Sequence, residues 1–128
     1  MRYLIPLFLV ACAAPAMQVP IEQIPSLPTL EDVMRVQATY ADPQFKKIGS
    51  TFTDADWAEL SELGTRLQAT STKTKAFTRG PGFDKLADQM NAQAAALGAA
   101  ATAKDSAGAN KSLEDLKTTC RSCHKEYR

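Results

Sequence analysis

Cys120-Arg121-Ser122-Cys123-His124 puts two thiols three residues apart and sets beside the second the only histidine of the chain. On a helical turn, thiols at that spacing can reach the vinyl groups along one side of a porphyrin as thioethers. The adjacent imidazole then aims Nε2 at the iron. Cys-X-X-Cys-His is the attachment sequence of c-type haem, and it predicts one haem c bound covalently through Cys120 and Cys123, with His124 as the metal ligand. Other uses of these residues fit less well. A thioredoxin-like redox pair wants its cysteines just after a strand, at a helix start where the dipole lowers a thiol pKa. A zinc site needs four ligands, and with Cys12 lost to a signal or a lipid only three candidates are left. A plain disulfide leaves the following histidine unexplained.

Only Lys125, Glu126, Tyr127 and Arg128 follow the motif. A sixth iron ligand is therefore expected from an earlier helix or not at all, and a second histidine is excluded. Met34 is the rival candidate, although its helical spacing suits a core filler better than a ligand; Met90 suits ligation less well still.

Those residues need helices to hold them. The chain has 128 residues, enough for one domain. Fifteen Lys and Arg stand against fourteen Asp and Glu, for a formal charge of +1. The signs are interspersed, which leaves no basic stripe for phosphates and argues against nucleic-acid binding. At the N-terminus Arg2, the apolar run Leu4 to Ala11 and the small residues after it read as an export signal, too short for the about 20 apolar residues of a membrane span. Leu9-Val10-Ala11-Cys12 resembles a lipobox and predicts a lipid anchor at Cys12; the alternative is an ordinary signal cut near Ala14 or Ala16. Pro15, Pro20, Pro25 and Pro28 favour an extended tether up to residue 28.

Residues 29–128 show no strand pattern and read as all-α. Thr29 with Asp32 resembles a capping box, and Leu30, Val33, Met34, Ala38 and Ala41 then mark a short first helix that Asp42-Pro43 should stop. Phe45, Ile48 and Phe52 follow in an irregular stretch and should cover one end of the core. Thr53 with Asp56 opens a long second helix bearing Trp57, Leu60, Leu63 and Leu67, which Arg79-Gly80-Pro81-Gly82 must end. Phe83 to Ala101 give a third, with an Ala-rich half that lets a neighbour approach closely. A fourth begins between Ser106 and Ser112 and carries Leu113, Leu116, Cys120, Cys123 and Tyr127 at intervals of three and four. Short connections between them predict an antiparallel up-and-down four-helix bundle.

The segment AAATAKDSAGANKSLEDLKTTCRSCHKEYR resembles the C-terminal helix of the cytochrome c′ family, four-helix bundles that end in Cys-X-X-Cys-His-X-X-Tyr-Arg or a close variant. That resemblance implies a covalent haem buried among the helices and places Arg128 where the family carries a basic residue beside the proximal face. Laying Glu31-Asp32 on the family's Glu-Asp start puts Tyr40 or Ala41 near the distal position, with Tyr40 expected to line the approach to the iron. It also implies a homodimer through the first two helices.

The function expected is that of a monohaem c-type cytochrome: one-electron transfer, reversible binding of a small gas ligand, or both, in partnership with a redox protein or complex. It would be periplasmic, with or without a lipid tether. The alternative is a haem-bearing accessory subunit docked on a larger membrane electron-transfer complex, which an ordered segment 13–28 would favour. Catalysis is not expected, because peroxidase chemistry needs a distal base and His124 is already committed.

Overall fold

A computed structural model describes residues 15–128. The signal-like run and Cys12 lie outside the described residues. Four α-helices follow one another in the order α1 (Leu30–Phe45), α2 (Asp54–Lys75), α3 (Pro81–Thr102) and α4 (Ser106–Tyr127), preceded by a 3-10 turn over Ile21–Ser26. There is no strand among the described residues, and the architecture is the expected four-helix bundle.

Each helix starts where its first turn can satisfy free N–H groups. The Thr29 hydroxyl accepts from the Asp32 N–H at 3.1 Å. Thr53 and Asp56 form a reciprocal capping box at the head of α2. At the head of α3, Gly80 has φ +108, a conformation open to glycine at little cost, and Pro81 takes the first helical position. Asp105 caps α4 through the Gly108 N–H at 3.0 Å.

The main core is built from α2, α3 and α4, with Leu60, Leu63, Leu67, Leu97, Leu113 and Leu116 essentially inaccessible. Phe52 and Trp57, with ring centroids 4.9 Å apart, close one end of it, as the irregular stretch after α1 led one to expect. Gly64 lets α2 and α3 meet backbone to backbone: a Cβ there would sit 2.9 Å from the Ala94 carbonyl oxygen and 3.0 Å from the Gly98 nitrogen.

Two expectations about the first fifty residues are corrected. The helix α1 does not stop at Asp42-Pro43 but continues to Phe45 with Pro43 inside its last turn. A proline there forgoes the hydrogen bond to the Thr39 carbonyl and crowds it, at a cost of about 3 kcal/mol, and tertiary contacts hold the turn in place. The buried Gln44 amide donates to Glu59 at 2.8 Å, and Lys47 donates to Asp56 and Glu59 at 2.8 and 2.9 Å.

The proline-rich segment is not a free tether over its described part. It lies across α1 and α2 as a strap, its Ile24 and Leu27 buried against Val33 and Val36 of α1 in a second, smaller core. The Met17 N–H donates to Thr39 on α1 at 2.9 Å, and Arg66 of α2 donates to the Val19 carbonyl. Order in this segment would favour docking on a larger complex; here the order has an internal cause, since the apolar side chains of the strap are buried on the bundle itself.

Candidate functional site

The last turns of α4 bring Cys120, Cys123 and His124 to the wall of a cleft that is open to solvent. All four helices contribute. Across from the motif, α1 presents Met34, Gln37, Ala38 and Ala41, with Asp42 and Phe45 at the end of the same face. Leu67 and Thr74 come from α2; Leu86, Ala87 and Met90 come from α3. Small alanines on two walls leave the width, and the long apolar side chains make the walls dry.

The motif residues differ in their surroundings. Both cysteines are half-buried free thiols. Burial, reinforced by the neighbouring Cys123 and Asp42, pushes the Cys120 thiol up to about 11, and burial also raises Cys123. A dithiol redox pair needs a depressed thiol pKa, so this environment disfavours that use. His124 is exposed as a residue, yet its imidazole edges the cleft. Desolvation and then the Arg128 charge lower its pKa, with Asp42 opposing them. The neutral imidazole, the form that binds a metal, is thereby favoured.

A haem fits what is here. The cleft is apolar apart from a few side chains, and its two free thiols and imidazole lie together on one wall. No group of three or more His, Cys, Asp and Glu converges on a metal-sized centre among the described residues, so a zinc reading lacks its cage.

The remaining candidates divide. Met34 lines the cleft. Arg128 is exposed and stands outside the lining, close enough for its charge to act on His124. Tyr127 packs edge-on against Phe83 with centroids 5.3 Å apart. Tyr40 does not line the cleft, which corrects its expected place at the distal approach. Its ring turns toward α2 and lies under the Arg66 guanidinium, 3.9 Å from the ring centroid. Helix α1 turns Gln37, Ala38, Ala41 and Asp42 toward the cleft, and Tyr40 falls outside that arc. Sequence reasoning missed Gln37, 7% exposed and donating through Nε2 to the Met90 sulfur at 3.5 Å. Its signal was there: position 37 lies three after Met34 and four before Ala41, on the apolar stripe.

No curated protein and no solved structure matches the chain. A family model described as Cytochrome C′ matches residues 27–128, a stretch that includes all four helices and the cleft they line, and the chain therefore belongs to the cytochrome c′ family.

Proposed function

We propose that the protein is a monohaem c-type cytochrome of the periplasm, with Cys120 and Cys123 as the attachment residues and His124 as the axial ligand. Cytochromes c′ are haem c proteins whose roles are electron transfer or gas binding. The observation that carries the reading for this chain is the convergence of the three motif residues on one apolar cleft. The bound group would supply one-electron chemistry and a site for a diatomic ligand. The residues of the chain do the rest. Cys120 and Cys123 fix the ring to α4, and His124 offers its nitrogen from the same turn. The apolar walls keep out water and anions while admitting neutral diatomics.

We infer that the face turned toward α1 is open and that reversible binding of a small gas is the primary role, with a redox partner restoring the ferrous state. Ala38 and Ala41 on that wall leave room and offer no ligand. Met34 is the residue that would convert the protein to a six-coordinate electron carrier. The test is an optical spectrum of the reduced protein with and without carbon monoxide. A high-spin spectrum that changes at once on adding the gas supports the open site; a sharp low-spin spectrum that Met34→Ala turns high-spin overturns it. Attachment is tested separately: acid-acetone should leave the haem with the polypeptide, and free haem in the extract would refute the thioether assignment. Lipidation of Cys12 is a further proposal, checked by partition with membranes and by its loss in Cys12→Ser.

A further inference from the structure

Helix α4 ends at Tyr127, so Cys123 and His124 stand in its last turns, where the backbone carbonyls run out of intrahelical donors. Residues on a fraying turn are poorly aimed. One group from outside the helix answers this: Arg79, in the connection between α2 and α3, donates through its guanidinium to the Tyr127 carbonyl. Among the described residues no other hydrogen bond from another element reaches positions 120–128.

The head of α3 is shaped for the same turn. A Cβ at Gly82 would lie 2.5 Å from the Tyr127 hydroxyl, so the missing side chain lets that ring settle beside the first turn of α3, edge-on to Phe83. Arg79 also matters electrically. It is exposed and joins no ion pair among the described residues. Its charge reaches Cys123, where it favours the thiolate against burial and Glu126. The neighbouring cations do not duplicate these roles. Lys75 is tied to Asp88 at 2.8 Å. Arg128 acts on His124 from α4 itself and cannot fasten that helix to another.

We propose that Arg79 is the positioning residue of the motif turn, fastening the end of α4 to the α2–α3 connection and holding a positive charge beside Cys123 that favours the reduced state of an attached haem. Ferric haem carries one more positive charge than ferrous haem, so a cation close to the ring disfavours oxidation, and at an exposed position salt weakens the effect. The fastening keeps the last turn helical, and with it the direction in which His124 points. This inference rests on attachment of the haem to α4 and holds with the sixth site open or filled.

The experiment uses the holoprotein, with the reduction potential read by spectroelectrochemical titration and amide exchange read by mass spectrometry on the C-terminal haem-bearing peptide. Arg79→Met should lower the potential at low salt, and the gap from wild type should narrow as salt is raised. It should also quicken exchange in the last turn of α4 about tenfold, the worth of one charge-assisted hydrogen bond. Arg79→Lys, which keeps the charge and a donor, should return the potential and most of the protection. Gly82→Ala displaces the Tyr127 ring and leaves the cation, so it should quicken the same amides by a separate route. Equal potentials in wild type and Arg79→Met at low salt, or unchanged exchange in the C-terminal peptide, overturn the inference and leave the cytochrome reading intact. A wild type that yields no haem-bearing peptide overturns that reading and this inference with it.

Discussion

Tyr40 and Arg66 show how a single side chain can be legible in type and illegible in direction. An aromatic near the end of α1 is easy to assign to a cofactor pocket, but the Arg66 guanidinium over its ring holds it on the opposite side of the helix. Tyr40→Ala should therefore leave the rate of carbon monoxide association unchanged while lowering the melting temperature. Flash photolysis and a thermal scan separate the two effects, and a changed rate at unchanged stability would restore Tyr40 to the cleft. Arg66 itself is buried and joined to three things at once: the Tyr40 ring, Glu62 at 2.8 Å and the strap carbonyl of Val19. Arg66→Met keeps much of the apolar stem and removes the donors. It should cost about 1–3 kcal/mol, the penalty for an orphaned acceptor and a lost charged hydrogen bond, and should speed proteolysis before residue 28.

Helix geometry carries the next set of consequences. Gly64 stands where the backbones of α2 and α3 touch, and no flexible side chain there can move aside. Gly64→Ala forces the two helices apart and should destabilise by about 1–3 kcal/mol despite alanine's better helix propensity; denaturant unfolding measures it, and a gain in stability would contradict the close crossing. The head of α2 is pH-sensitive. Hydrogen bonds from Lys47 and from the Thr53 backbone lower Asp56 to about 2 from an ordinary 3.8. A carboxylate depressed in the folded state contributes stability that is fully present above the ordinary value and is lost as pH falls through the folded one. The melting temperature should drop from pH 4 to pH 2, and Asp56→Asn should flatten that limb. Much of this level could be read from the chain: the Thr53–Asp56 box, the glycine-proline break before α3 and the register of α4 are local signals with local causes. What could not be read was set by distant partners. Pro43 says stop, and the helix passes it because Gln44 and Lys47 are fastened to α2. The prolines before residue 28 say extended, and the chain turns because Ile24 has a pocket between α1 and α2. The motif of the cleft was legible because haem attachment fixes residue types at fixed spacing; Gln37 was not, because one amide in an apolar stripe has no such rule.

The molecule as a whole is built from two unequal cores, and α1 belongs mainly to the smaller. Val33 and Val36 pack under the strap, while α1 gives the large core shared by α2, α3 and α4 one fully buried residue, Ala41, with Tyr40 and Phe45 half-buried against it. The opposite face of α1 is the wall of the cleft. That helix is thus held on one side by a proline-rich segment and on the other by whatever occupies the site, whereas α2 and α3 are locked along their length by direct contact at Gly64 and by buried leucines. A cofactor that binds only the native fold stabilises what surrounds it, and here its effect should be concentrated on one element. In the Cys120→Ala, Cys123→Ala variant, amide hydrogen exchange should quicken first and most in α1, with α2 and α3 keeping the greater part of their protection. Ile24→Ala, which takes a buried aliphatic from the strap at a cost of about 2–5 kcal/mol, should loosen the same helix from its other side. Because both changes act on one shared element, their effects should exceed the sum of the two taken singly. Additive effects, or a uniform loss of protection over all four helices, would show instead that α1 is an integral part of the large core and that the strap and the cleft do not communicate through it.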